Sequence, residues 1–210
     1  MIHAEILPSE QSECLKTLGP AATALGFYLA GGTAIALQLG HRRSVDFDWF
    51  TPHFPGSPVD LADTLHRHGV ALAPSTLAER TVHGSINGVR VSFLEFRPAL
   101  LEPLIDWPER GCQLASCEDL AAMKLLAVAQ RGTKKDFIDI HALSRRFPLQ
   151  QMLDLYRRRF GVSDTSRVLA GLCYFDDADA EPSPTMLVPS DWIAVKEDLR
   201  DLVRRVASDT

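Results

Sequence analysis

The chain has 210 residues, 46% of them hydrophobic and 23% charged. This is ordinary globular composition, and it excludes a disordered, collagen-like or coiled-coil chain. Twenty-two Lys and Arg against 27 Asp and Glu leave a formal net charge of −5, which argues against a general nucleic-acid coat.

The N-terminal MIHAEILPSEQSE is acidic and broken by Pro8, unlike a secretory leader. No apolar run reaches the roughly 18 residues of a membrane span. The four cysteines, at 14, 112, 117 and 173, form no CxxC pair and show no zinc spacing. A soluble cytoplasmic protein with free thiols is expected.

Residues 9–25 predict a helix, with Leu15, Leu18, Ala22 and Leu25 at helical spacing. Residues 27–30 form a short apolar run that suits a buried strand, ended by Gly31-Gly32. Thr33 to Leu39 reads as a helix that Gly40 can close. Asp46 to Phe50 alternates strictly, as a half-buried strand does. A proline-rich loop follows, then a short helix over 60–68. Residues 82–86 and 89–96 flank Asn87-Gly88, whose positive φ angles suit a type I′ hairpin turn. From 111 the pattern turns helical. Ser116 can cap a helix running to Arg131 through the Asp119 amide, and further helices are expected over 136–146 and 149–160. Residues 176–185, acidic and interrupted by proline, read as an exposed loop. A last helix begins after Ser190 or Asp191 and carries an apolar stripe of Trp192, Val195, Leu199, Leu202 and Val206. The expected class is therefore α+β: a mixed-sheet core over 1–110, then a helical region over 111–210 that completes a cleft.

Two clusters carry chemistry. In the first, Gly31-Gly32 stands between a strand and a helix N-terminus, where backbone amides and the helix dipole favour a phosphate. Thirteen residues later come Asp46 and Asp48, at i and i+2, on one face of a strand. Their Cα atoms lie about 6.6 Å apart at ~3.3 Å per residue. Such a pair repels itself unless a divalent cation shares it, and Mg²⁺ uses carboxylates together with substrate phosphates in this way. In the second cluster, Lys124 and Arg131 lie two helical turns apart, and Asp136 and Asp139 are i, i+3 neighbours on the next helix. The acids either staple the two helices together or orient Lys124 and Arg131 toward a nucleotide. His41 reads as a solvated loop histidine.

Taken together, LAGGTAIALQLGHRRSVDFDWF and DLAAMKLLAVAQRGTKKDFIDIHAL resemble the AbiEii/AbiGii-type nucleotidyltransferases of the polymerase β-like superfamily. The likeness is good over 27–50 and 116–143, and elsewhere extends only to element order. It implies a polymerase β-like fold and a nucleotidyltransferase that uses an NTP and two Mg²⁺ ions. It implies an acceptor such as an RNA or tRNA end or a protein hydroxyl, and a toxin role with a cognate antitoxin. Under the resemblance, Gly31, Gly32 and Thr33 match the phosphate-binding turn, and Asp46 and Asp48 the metal-binding carboxylates. Arg42 and Ser44 match the lead-in that shapes the nucleotide site. Lys124 matches the motif lysine, and Asp136 and Asp139 the later acidic motif.

The superfamily's third carboxylate has no clear counterpart. Ser92 stands where an in-register acid is expected, and Glu95 has the right apolar flanks three residues later. An odd shift of three reverses strand parity, so Glu95 needs a bulge to reach the site. This departure keeps a second reading open, that of a catalytically weak module binding a nucleotide or a partner. A transferase acting on a small molecule such as an antibiotic shares the same glycine and carboxylate parts. The stretch 124–167 carries 10 basic and 4 acidic residues, including Arg157-Arg158-Arg159. Such a run reads either as a solvated helix face or as a dock for a polyanionic acceptor.

Overall fold

The computed structural model describes residues 2–208. Its centre is a seven-stranded mixed sheet. The strands are β1 (Tyr28–Ala30), β2 (Asp46–Thr51), β3 (Ala73–Ala78), β4 (Thr81–Ile86), β5 (Val89–Glu95), β6 (Ile105–Trp107) and β7 (Cys112–Leu114), in the spatial order β3-β4-β5-β2-β1-β7-β6. β2 runs antiparallel to β1 and parallel to β5, and β1 pairs in parallel with β7.

Alternation in β2 works as expected. Phe47, Trp49 and Thr51 are buried on one face, whereas Asp46, Asp48 and Phe50 are half-buried on the other. Behind the sheet, Phe27 meets Phe93 edge-on at 5.1 Å between ring centroids, within a core that also takes Leu61 and Leu65 from α3 (Pro58–Arg67). Ser57 caps α3 by accepting from the Asp60 amide, while the Asp60 carboxylate accepts from the Ser57 amide. The Asn87-Gly88 turn sets the hairpin register. Ile86 faces Val89, and counting back places Val82 opposite Phe93 and His83 opposite Ser92.

α1 (Ser9–Ala24) covers one side of the sheet, and its Gly19 lies so near the Arg110 carbonyl that a Cβ would stand 2.3 Å from the oxygen. α2 (Gly31–Leu39) starts at the glycine pair itself, two residues earlier than the pattern predicts. The C-terminal half supplies α4 (Cys117–Gln130), α5 (Lys134–Ser144), α6 (Leu149–Phe160), α7 (Ser166–Cys173), the single turn α8 (Asp176–Asp179) and α9 (Trp192–Ser208). Ser116 caps α4 as expected, accepting from the Asp119 amide at 3.0 Å.

Several elements depart from expectation. Strands β3, β6 and β7 and helix α7 were not foreseen. β7 carries the sheet as far as Leu114, so the helical part starts at Cys117 rather than at 111. The stretch 176–185 is not a free loop. It opens with α8, whose Ala178 is fully buried, and it is tied down at both ends. The Lys134 side chain bonds the Asp179 and Glu181 carbonyls, and the Lys134 amide donates to the Glu181 carboxylate at 2.8 Å. Beyond it, the Arg43 amide donates to the Thr185 carbonyl at 2.8 Å, and the Leu187 amide to the His41 carbonyl at 3.0 Å. Trp192 joins the core as predicted, edge-on to Phe137 and Phe175, with its indole N–H on Asp179.

Among the described residues, no helix is long and apolar enough to cross a membrane.

Candidate active site

A cleft of about 650 Å³ opens between the polar face of β2, β4 and β5, the N-terminus of α2, one side of α4, and the segment 183–185. Asp46 and Asp48 stand on its floor. Gly31 has φ +65°, and a Cβ there would lie 2.4 Å from Asp48 Oδ2. A Cβ on Gly32 would lie 2.4 Å from Arg42 Nη2. The glycine pair thus admits a carboxylate against one residue and a guanidinium against the next. No side chain caps the N-terminus of α2, so its first amides are left for an anion.

The floor carboxylates are poorly quenched. Burial raises the Asp48 carboxyl above its ordinary value, against the opposing pull of a Ser92 hydrogen bond and of Lys124. Arg90 Nε lies 2.7 Å from Asp46 Oδ1, and Lys135 Nζ 3.8 Å from Asp46 Oδ2. The Arg90 contact is off the axis of a hydrogen bond, so Oδ1 is shut off from solvent with only an unbonded ion pair. Both cations are largely exposed and contribute weakly. Two carboxylates on one strand face, one with an unbonded buried oxygen, are a donor set that suits Mg²⁺ completed by phosphate oxygens. No group of three or more His, Cys, Asp or Glu is arranged for a metal among the described residues.

The second cluster is the opposite case. Asp139 is fully buried and accepts from Arg42 through two bonds (Nε 2.7 Å, Nη2 2.9 Å), from His41 Nε2 at 2.8 Å, and from Lys124 Nζ at 2.9 Å. Asp136 accepts from Lys124 Nζ at 2.6 Å and from the Thr133 amide and hydroxyl. Burial alone would raise both carboxyls. Lys124 outweighs it, helped by Arg42 and His41 at Asp139 and by Thr133 at Asp136, and holds Asp136 below and Asp139 well below the usual range. The same pairing raises Lys124 and Arg42 in spite of their burial. Both cations still form part of the cleft wall.

Of the expected site residues, the cleft brings together Gly31, Gly32, Arg42, Ser44, Asp46, Asp48, Lys124 and Arg131. Asp136 and Asp139 stand behind Lys124, without exposure. Thr33 is buried too. Its hydroxyl bonds Ser44 Oγ at 2.7 Å and the Asp46 carbonyl, which fixes the 40–46 loop instead of facing a phosphate. Glu95 does not reach the site. β2 and β5 pair without a bulge from Asp46–Arg90 to Thr51–Glu95, and the Glu95 carboxylate takes Arg80, Arg97 and the Phe54 amide. His41 is not solvated, since it sits buried against Asp139.

The basic stretch is also partly consumed. Arg159 is buried against Asp119 and above the Phe96 ring, Lys134 is bound to the 179–181 carbonyls, and Lys124 is paired. The exposed cations lining the cleft are instead Arg43, Arg131 and Lys135, with Arg90 beside them on Asp46. Two features were missed. His83 on β4 lines the cleft, and the hairpin turn already implied its register. Ser183, Pro184 and Thr185 close one side, and no sequence signal marked them.

The profile of the AbiEii nucleotidyl transferase toxin family, a toxin of type IV toxin–antitoxin systems, matches residues 85–208. The chain belongs to the AbiEii family. It is 36% identical over 179 residues to an uncharacterized protein of Aquifex aeolicus (strain VF5), covering 83% of this chain and 86% of that protein. Its fold is similar to that of a candidate nucleotidyltransferase from H. pylori (TM-score 0.60, 18% identity, 96% and 97% of the two chains covered). It is also similar to the nucleotidyltransferase toxin MenT4 of Mycobacterium tuberculosis H37Rv (TM-score 0.52, 15% identity, 96% and 87% covered). The antibiotic-resistance factor ANT(2'')-Ia shares the fold at TM-score 0.52 and 16% identity, over 70% of this chain and 90% of that one. Family membership supports an enzyme of the nucleotidyltransferase class.

Proposed function

We propose that the cleft binds a nucleoside triphosphate with Mg²⁺ on Asp46 and Asp48 and transfers its nucleotidyl group to an acceptor hydroxyl. The observation that carries this reading is the half-buried carboxylate pair, left under-neutralised beside the uncapped N-terminus of α2. When bound, Mg²⁺ neutralises triphosphate charge and polarises the reacting phosphorus. The residues of the chain do the rest. Gly31 and Gly32 let phosphate oxygens approach the first amides of α2. Arg131 and Lys135, exposed and at the cleft, take the outer phosphates, the guanidinium as a planar fork and the ammonium as a point charge. Lys124, fixed by Asp136 and Asp139, keeps a positive charge in the wall without moving. Leu120, Met123 and Ala127 of α4, facing Phe50, Leu94 and Phe96, give the base an apolar slot. Most of the acceleration comes from positioning and fixed charge, as in phosphoryl transfers generally.

The acceptor we favour is an RNA end, because exposed Arg43 at the cleft and exposed Arg90 beside Asp46 add positive charge to that held by Arg131 and Lys135. In this reading the 1–110 region supplies the carboxylates and the 111–210 region closes the cleft. The protein acts in the cytoplasm as a toxin restrained by a cognate antitoxin.

Calorimetry with each NTP, with and without Mg²⁺, tests the site, and label transfer from [α-³²P]NTPs to total RNA tests the acceptor. Mg²⁺-dependent binding followed by labelled RNA is expected. Absence of binding with Mg²⁺ overturns the nucleotide site. Binding with transfer only to protein or small molecules overturns the RNA acceptor.

A further inference from the structure

Asp48, Ser92 and His83 form one row across β2, β5 and β4, in register and all facing the cleft. Ser92 is paired in register with Asp48, whose carboxyl it pulls down as a donor would, and its Oγ lies 3.0 Å from His83 Nδ1. This chain has a direction. With Asp48 ionised, as its role in the nucleotidyl-transfer reading requires, it only accepts, and the single Ser92 hydroxyl hydrogen goes to it. Ser92 Oγ can then only accept from His83, so Nδ1 carries the ring hydrogen of the neutral imidazole. The Nε2 lone pair is left without a hydrogen-bond partner among the described residues, on a ring half-buried at the cleft. The remaining ionisable groups lining the cleft are Asp46 and Asp48, which the reading above assigns to Mg²⁺, and side chains that are already cationic.

We propose that His83, held in its Nδ1-protonated tautomer by Ser92, is the proton acceptor for the attacking hydroxyl. The role rests on the nucleotidyl-transfer reading above and stands in place of the carboxylate that Glu95 does not provide. As the acceptor oxygen bonds to the α-phosphorus, its hydrogen passes to His83 Nε2. The bond from the α-phosphorus to the bridging oxygen breaks, and pyrophosphate leaves with that electron pair. The imidazolium then returns its proton to solvent. Ser92 is a positioning residue, since it acts through the ring.

Two measurements test this in the intact protein. Long-range ¹⁵N–¹H correlation at a pH where the ring is neutral reads the His83 tautomer without substrate. Nδ1–H is expected in the wild type and is lost in Ser92→Ala, whereas Nε2–H in the wild type overturns the proposal. Label transfer from [α-³²P]NTPs to a heat-treated cell lysate reads the chemistry. His83→Ala should lower kcat about 10²–10⁴-fold with NTP binding and thermal melting retained, and free imidazole should restore much of the rate. His83→Gln, which fills the space without a base, should stay slow. A wild-type rate in His83→Ala, or a slow His83→Ala that imidazole does not rescue, overturns the base role and leaves the nucleotidyl reading standing. A wild type that neither binds NTP nor transfers label removes both.

Discussion

The two acidic clusters are built from the same residue type at nearly the same spacing, yet they are electrostatic opposites. Asp136 and Asp139 are fully buried, and Lys124, Arg42 and His41 meet them with short, direct bonds. Asp46 and Asp48 stand half-buried at a cleft, with exposed, loosely placed cations and one carboxyl driven upward by desolvation. A buried charge that keeps all its partners rigidifies a structure. One left short of partners makes a binding site for a cation. Spacing alone did not separate the two; what stands opposite each carboxylate did.

The largest test of this contrast is on activity. Asp46→Ala should cost at least about 10²–10³-fold in nucleotidyl transfer, read by label incorporation, with an unchanged circular dichroism spectrum. If the fold is lost instead, Asp46 belongs with the structural cluster. Asp139→Asn should have the reverse signature. Breaking a buried, multiply bonded pair leaves Arg42 and Lys124 without their counter-charge. The expected loss is about 3–5 kcal/mol, read from a chemical-denaturation midpoint.

Acid titration sharpens the same point. Asp136 and Asp139 have folded values below the unfolded one, so the unfolded chain binds more protons. Their stabilisation is present above about pH 4 and drains away as pH falls from there toward the folded values. Asp139→Asn should flatten that acid limb in melts collected from pH 2 to 6. The smallest effect is the most diagnostic. The folded Asp48 carboxyl is raised, so its contribution to stability is present below the unfolded value and lost as pH rises through the folded one. At neutral pH its ionisation therefore opposes folding, and Asp48→Asn should raise Tm while abolishing transfer. A lower Tm would mean that Asp48 is as well satisfied as Asp139.

Local chemistry made much of this molecule legible. The strict alternation of Asp46 to Phe50 revealed a strand with one apolar face, and Asn87-Gly88 fixed a hairpin whose register could have been counted through to His83–Ser92. Partners distant in sequence were not legible. Arg42 and Asp139 are 97 residues apart, and no periodicity links them. His41 therefore looked solvated and Arg159 looked free, although each is buried among groups from another element. Strand β3 (Ala73–Ala78) gave no signal because it is exposed along its whole length, contains Pro74, and is shaped by pairing with β4 and not by its own pattern. The three-residue strands β6 and β7 are too short for alternation to show. Glu95 was the one site candidate chosen for its flanks against its parity, and parity decided.

The segment 183–187, pinned to His41–Arg43, has a consequence during synthesis. A nascent chain that has emerged only to residue 180 already holds the sheet, both floor carboxylates and every member of the Lys124–Asp136–Asp139–Arg42 network. It still lacks a wall of the cleft, because Ser183, Pro184 and Thr185 have not yet been laid against the 41–43 turn. In chain order, the cleft is therefore walled only after every residue that carries its charge has been laid down.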